Sequence, residues 1–151
     1  MKKLLCALDA LVLLLSLTAC GWQEWAFLYV MNLDNDDRAP KEEIFSYVRE
    51  NEDILLQSIQ AEEYSSIENK SVVKSVSPAS DSVDFYCGGA GFGPNTAYRG
   101  FYYSENDDMT VMVPSAVLRP SGEGYEWHGD DDNAYYTEHI CGHFYYYELS
   151  F

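Results

Sequence analysis

The sequence predicts an α+β fold: one amphipathic helix packed on an antiparallel sheet of about four to six strands. Three observations lead there. A single stretch after the N-terminal region, Pro40 to Ala61, has apolar residues at helical spacing. From Ile67 onward the chain is rich in β-branched and aromatic residues, punctuated by Gly, Ser, Asn and Asp. One helix followed by a run of strands is the order of an α+β domain, not of alternating β-α units.

In chain order, the first segment is Met1-Lys2-Lys3 followed by an apolar stretch, Leu4 to Ala19, broken by Asp9. Two lysines ahead of such a stretch have the form of a secretory signal. A bilayer-spanning helix needs about 20 predominantly apolar residues, so this stretch of 16 is short for a permanent span. It ends in Leu17-Thr18-Ala19-Cys20, which resembles the lipobox of bacterial prolipoproteins. That resemblance implies a diacylglyceryl group on the Cys20 thiol and removal of residues 1–19. It places the mature chain at the outer face of the cell membrane, held by its lipid. Asp9 departs from the pattern, since a mid-helix charge costs about 2.5–3.5 kcal/mol on insertion. The alternative is an uncleaved anchor prolonged by Trp22 to Leu33, a run that Gln23 and Glu24 interrupt.

A start at Cys20 leaves 132 of the 151 residues, enough for one domain. The expected division is a signal segment (1–19), a membrane-proximal segment (20–39) and a single domain (40–151). Loss of Lys2, Lys3 and Asp9 leaves 7 basic against 24 acidic residues, moving the net charge from −16 to −17. Such a surface repels phosphate backbones and anionic headgroups, which excludes nucleic acid as a natural partner. Membrane attachment then falls to the lipid, and two acyl chains suffice for stable anchoring. Of four cysteines, Cys6 leaves with the signal and Cys20 takes the lipid. Cys87 and Cys141 remain as an even pair in an oxidising compartment, where a disulfide is expected. Closing about 55 residues, it would contribute about 4 kcal/mol.

Within the domain, Pro40 stands where a helix begins, with Glu42 and Glu43 placed to complement the macrodipole. Ile44, Val48, Asn51, Leu55 and Ile59 continue the stripe, widened by Phe45 and Leu56. Strands are expected at Val72–Val76, at Val83–Cys87, at Tyr98–Ser104 and at Met109–Val113. A last long strand, Ala134–Phe151, is expected to bend at Gly142. The helix would cover one sheet face, leaving tyrosines on the other.

Chemistry-bearing patterns are few. The loop Gly88-Gly89-Ala90-Gly91-Phe92-Gly93-Pro94 has the glycines of a phosphate cradle but neither a following helix nor a Gly-Lys-Ser/Thr ending. It reads as a tight connection between strands, with Gly88, Gly89 and Gly91 able to rim a ligand site. His139, Cys141 and His143 alternate, so an undistorted strand presents all three on one face, as a metal site requires. His139 and His143 are accordingly weak metal candidates. The same residues suggest a Cys–His hydrolase, but neither cysteine stands at a helix N-terminus that would lower its pKa. No Gly-x-Ser-x-Gly or His-Glu-x-x-His motif occurs. The acidic run at Asp130–Asn133 fails the EF-hand pattern at Ala134 and reads as a solvated turn. No catalytic residue, metal or cofactor is assigned.

Ten of the 13 tyrosines lie between Tyr86 and Tyr147. Adjacent pairs such as Tyr102-Tyr103 point to opposite sheet faces, so both faces carry aromatic rings. Some belong to the core; the rest suit a surface that stacks on sugars or joins a protein. Tyr102 and Tyr103 are therefore candidate ligand residues, with the glycine loop beside them. The runs Phe85–Gly89, Gly100–Ser104, Thr137–Cys141 and Tyr145–Glu148 resemble small lipoproteins of gut Firmicutes, which implies a source and no particular activity. The expectation is a membrane-anchored, extracytoplasmic binding or interaction module for a protein or glycan ligand. A cell-envelope Cys/His hydrolase and a metal-binding lipoprotein are the alternatives.

Overall fold

The computed structural model describes residues 36–92, 95–130 and 132–151. The signal-like segment, Cys20 and the Trp22–Leu33 run lie outside the described residues, as do Gly93, Pro94 and Asp131.

The helix forms where its periodicity places it, as α1 (Lys41–Ala61). Pro40 precedes it in an extended conformation (φ −57°, ψ 144°), a geometry its ring favours at a helix start. Ile44, Val48 and Leu55 are fully buried along one stripe. Asn51, in that same stripe, is non-helical (φ −118°, ψ 15°), and its Nδ2 donates to the Tyr47 carbonyl at 2.8 Å. A side chain that bonds the preceding turn competes with the helical ladder, and here it kinks the helix. Glu62 ends α1 in the left-handed region (φ 53°), and the amides of Glu62 and Glu63 donate back to the Ile59 and Ser58 carbonyls.

Seven antiparallel strands follow: β1 (Ser75–Pro78), β2 (Ser82–Phe92), β3 (Asn95–Ser104), β4 (Arg119–Ser121), β5 (Gly124–His128), β6 (Ala134–Cys141) and β7 (Phe144–Ser150). Their order in the single sheet is β1-β2-β3-β7-β6-β5-β4. The class is α+β as expected, with seven strands in place of four to six. One added strand comes from the segment expected to be one long strand. Gly142 (φ 49°) and His143 make a reversal there, and Cys141 pairs with Phe144 across it. The β4–β5 hairpin is also new, closed by Gly122 (φ 59°) and Glu123. Met109–Val113 forms no strand. Asp108 Oδ1 accepts from both the amide and the hydroxyl of Thr110 at 2.7 Å, and turns at Val113 and Ala116 keep the chain curled. Local side-chain bonding of this kind defeats strand propensity.

The glycine run also differs from the expected loop. Gly88, Gly89 and Gly91 lie within β2, across an irregularity between Tyr86 and Gly89. Residues 36–39 strap that end of the strand: the Asp37 and Ala39 amides donate to the Gly89 and Cys87 carbonyls at 3.1 and 2.9 Å. Gly88 has φ 121°, and a Cβ there would collide with the Asp37 carbonyl oxygen. The glycines thus serve a close approach of two backbones. Residues 36–39 are bound to the sheet by backbone hydrogen bonds.

Alternation assigns each strand residue to one of two layers. Toward α1, Val83, Phe85, Phe101, Ile140, Phe144 and Tyr146 join Ile44, Val48 and Leu55 in the main core. Phe85 and Phe101 stack there with ring centroids 4.5 Å apart. On the opposite face Tyr102, Tyr135, Tyr145, Tyr147 and Leu149 form a second core, capped by side chains of the 105–118 segment and by Trp127. Both sheet edges carry a proline, Pro78 in β1 and Pro120 in β4, which removes an amide that another strand would pair with.

The expected Cys87–Cys141 disulfide is not formed; both thiols are free. Cys87 is in β2 and Cys141 in β6, with β3 and β7 between them. Three strand spacings amount to ~14 Å, whereas a disulfide needs Cα atoms within about 7 Å. Non-reducing peptide mapping after denaturation in an alkylating agent should find both residues alkylated. A Cys87–Cys141 crosslinked peptide would contradict this register.

Candidate functional site

The tyrosine-bearing sheet face is the candidate site that the sequence singled out, and the structure encloses it. Tyr102, expected to be a ligand residue, has no exposed surface. Tyr103 faces the other way, packing on Phe144 in the α1 layer. The floor is a hydroxyl network. The Tyr102 hydroxyl lies 3.1 Å from Thr137 Oγ1, which donates to the Tyr146 carbonyl. Tyr135 reaches the Tyr102 hydroxyl at 3.3 Å and donates to the Met109 carbonyl at 2.9 Å. The Tyr145 hydroxyl donates to Asp107 Oδ1 at 2.9 Å. Burial first, and the neighbouring phenols and carboxylates after it, hold these hydroxyls in the neutral form, with Tyr135 pushed up to about 12.

Met109, Val111, Met112, Val113 and Leu118 cover this floor. None of the five is fully buried, although the floor rings are. The covering segment is clasped at its start: Asp107 also pairs with His143 Nδ1 at 2.9 Å, and the Asp108 amide donates to Ser104 Oγ.

Asp84, on β2, belongs to the same face and stands in register beside Tyr102. Its Oδ1 is enclosed and has no hydrogen-bond partner. Burial raises its pKa from 3.8 to about 6, against the smaller opposing effect of the nearby Tyr147 hydroxyl. Gly100 gives the Tyr147 ring its room. A Cβ on Gly100 would press on the Tyr147 ring at 2.8 Å, so the missing side chain lets the ring lie across β3. The sequence signal for Asp84 was its place in an alternating strand, two residues before Tyr86 and so on the same face as that tyrosine.

A second polar cluster lies where α1 begins. Lys41 Nζ sits 5.4, 5.1 and 5.4 Å from the ring centres of Phe45, Tyr136 and Tyr146, and donates to Glu138 Oε2. Burial works to raise the Glu138 pKa, but hydrogen bonds from Lys41 and the Tyr136 hydroxyl outweigh it and leave it lowered. Arg49 stacks on the Phe45 ring at 5.3 Å, so Lys41, Phe45 and Arg49 form an i, i+4, i+8 ladder. An adjoining cleft of about 430 Å³ is lined by Lys41, Glu42, Phe45, Arg49, Glu123 and Glu138. The chemistry of the cluster is that of a cation–π clasp holding the first turn of α1 to β6.

The remaining candidates are not brought together. An irregularity between His139 and Cys141 breaks the expected alternation, leaving Cys141 on the α1 side near Glu52. His139 Nε2 is 2.8 Å from the Gly142 carbonyl, and His143 is engaged with Asp107. No group of three metal-ligating side chains exists among the described residues. Burial raises the pKa of Cys87, whose thiol donates to the Phe85 carbonyl, and that of Cys141 as well. A nucleophilic thiol needs the opposite shift. Comparison with protein-family models, with curated proteins and with solved structures finds no match for this chain.

The sign of the Asp84 effect follows from its raised pKa. The folded state holds the proton more tightly than the unfolded chain, so the contribution is most favourable below pH 4 and is lost as pH rises through about 6. Asp84→Asn should therefore stabilise the protein at pH 8 by about 1–2 kcal/mol, the full shift being discounted for partial exposure. Near pH 3.5 it should do little. Urea unfolding at the two pH values checks this, and an equal effect at both would sink it.

Proposed function

We propose that the protein is a lipid-anchored, extracytoplasmic binding module that acts without catalysing a reaction. The observation that supports this most is the Leu17-Thr18-Ala19-Cys20 sequence behind a lysine-led apolar segment, with only 15 residues (21–35) between Cys20 and the first residue of the folded unit. Fifteen residues reach at most about 50 Å, which keeps the domain close to the lipid surface. Among the described residues no helix is long and apolar enough to cross a membrane. The formal charge of −16 gives the surface no attraction to anionic headgroups, so the lipid alone carries attachment.

A binding role is favoured over the hydrolase and metal readings by how their candidate groups are used. Both thiols are shifted away from the thiolate, and the two candidate histidines are committed to a carbonyl and to Asp107. What remains is an aromatic platform beneath an amphipathic cover, a chemistry suited to recognition once the cover is displaced.

Cys20→Ala tests the anchor. In a bacterial host fed an alkyne-tagged fatty acid, the wild type should be labelled and found with membranes. The variant should be unlabelled and released from membranes. An unlabelled variant that stays in the membrane would instead establish an uncleaved apolar anchor.

A further inference from the structure

We propose that residues 105–118 are a movable lid over a carbohydrate-binding face floored by Tyr102, Tyr135, Tyr145 and Tyr147, and that the ligand is a neutral oligosaccharide. This rests on the reading of the protein as a binding module and supplies its site and ligand class.

The lid differs from everything around it. It is 14 residues of turns and irregular chain between β3 and β4, a length at which loops are usually functional. It pairs with no strand, and its five covering side chains (Met109, Val111, Met112, Val113 and Leu118) are half-buried where the floor beneath them is closed to solvent. Such a segment opens at less cost than the strands beneath it. Asp107 (φ 56°) and Ser115 (φ 70°) hold left-handed backbone within it. These are strained positions for residues with a Cβ, typical of segments that switch. Two of its covering side chains are the methionines Met109 and Met112, unbranched groups that repack readily.

The lid also shows what would replace it. It lays an apolar centre on the tyrosine rings and offers oxygen acceptors to two phenols, the Met109 carbonyl to Tyr135 and the Asp107 carboxylate to Tyr145. Once displaced, it leaves ring faces and two hydroxyl donors that need acceptors. A pyranose supplies both, with C–H faces to stack and oxygens to accept. Its hydroxyl donors would also satisfy the enclosed, partnerless Asp84 Oδ1 on the same face. An aliphatic ligand would strand these polar groups, at a cost for each. An anion would meet Asp84, Asp107 and Asp108 together. From Asp84 in β2 to Tyr135 in β6 is three strand spacings, ~14 Å, which calls for more than one sugar ring.

The test uses the full chain in detergent, with 13C-methyl methionine, and follows Met109 and Met112 during titration with chitotetraose and, separately, maltotetraose. The first carries acetamido groups and the second does not, so the pair distinguishes the sugar class. One of them should move both methyl signals from ring-shifted positions toward those of free methionine. Asp107→Ala, which unclasps the lid, should bind the same sugar several-fold more tightly. In the Asp107→Ala background, where Tyr145 no longer holds the lid, Tyr145→Phe should weaken binding about 5- to 10-fold, the worth of one hydrogen bond. Failure of both sugars to bind wild type and Asp107→Ala overturns the proposal, while the lipid labelling of Cys20 continues to report separately on the anchored module. A sugar that binds without moving Met109 and Met112 overturns this site and leaves a binding function in place.

Discussion

Four consecutive aromatic residues, Phe144-Tyr145-Tyr146-Tyr147, occupy β7, the middle strand of the seven, and all four are buried. Because strand side chains alternate, Phe144 and Tyr146 point to one face while Tyr145 and Tyr147 point to the other. A half-buried sheet with one polar face cannot satisfy that strand. The fold must cover both faces, and among the described residues it has one helix with which to do so. Most of the structure follows from this demand. The helix takes the Phe-rich side, and the 105–118 segment, with little regular structure of its own, is drawn over the Tyr-rich side.

The two covers are unequal in kind. The α1 layer joins continuous apolar packing to a clasp in which Lys41, three aromatic rings and Glu138 fix the first helical turn. The second layer rests on the bonded hydroxyls of Tyr102, Tyr135 and Tyr145 and on half-buried methionines and valines. Hydroxyl networks of this sort hold geometry well while fully satisfied and lose it once one member is removed. Asp84 lies in that layer with an oxygen that nothing satisfies, so its raised pKa couples stability to pH on this face.

How much of this was legible in the sequence depended on whether a signal was local. The helix was, since Pro40, the paired glutamates and the apolar stripe all lie within it, and its boundary matched to a residue. The tyrosine-bearing second face was legible from alternation alone. The hairpin at Gly122–Glu123 and the reversal at Gly142 depended on two-residue turns. The first went unread and the second was read as a bend, although both glycines stand at the turn with positive φ. Met109–Val113 misled because strand-forming residues there are overruled by Asp108, whose carboxylate curls the chain. For the site, the rings of Tyr102 and Tyr103 were correctly sent to opposite faces, yet their exposure was not decidable. Whether a face is bare depends on a distant segment that covers it. The disulfide expectation failed for the same reason, since parity and compartment say nothing about three intervening strands.

The claim that one face is held by a fixed layer and the other by a releasable one predicts a steep difference in hydrogen exchange. Backbone exchange followed by mass spectrometry on the full chain tests it most directly. Amides of 105–118 should exchange orders of magnitude faster than those of β3 and β7 beneath them, which should open only with global unfolding. Equal protection of the segment and of β7 would contradict the account, making the second cover as permanent as the first.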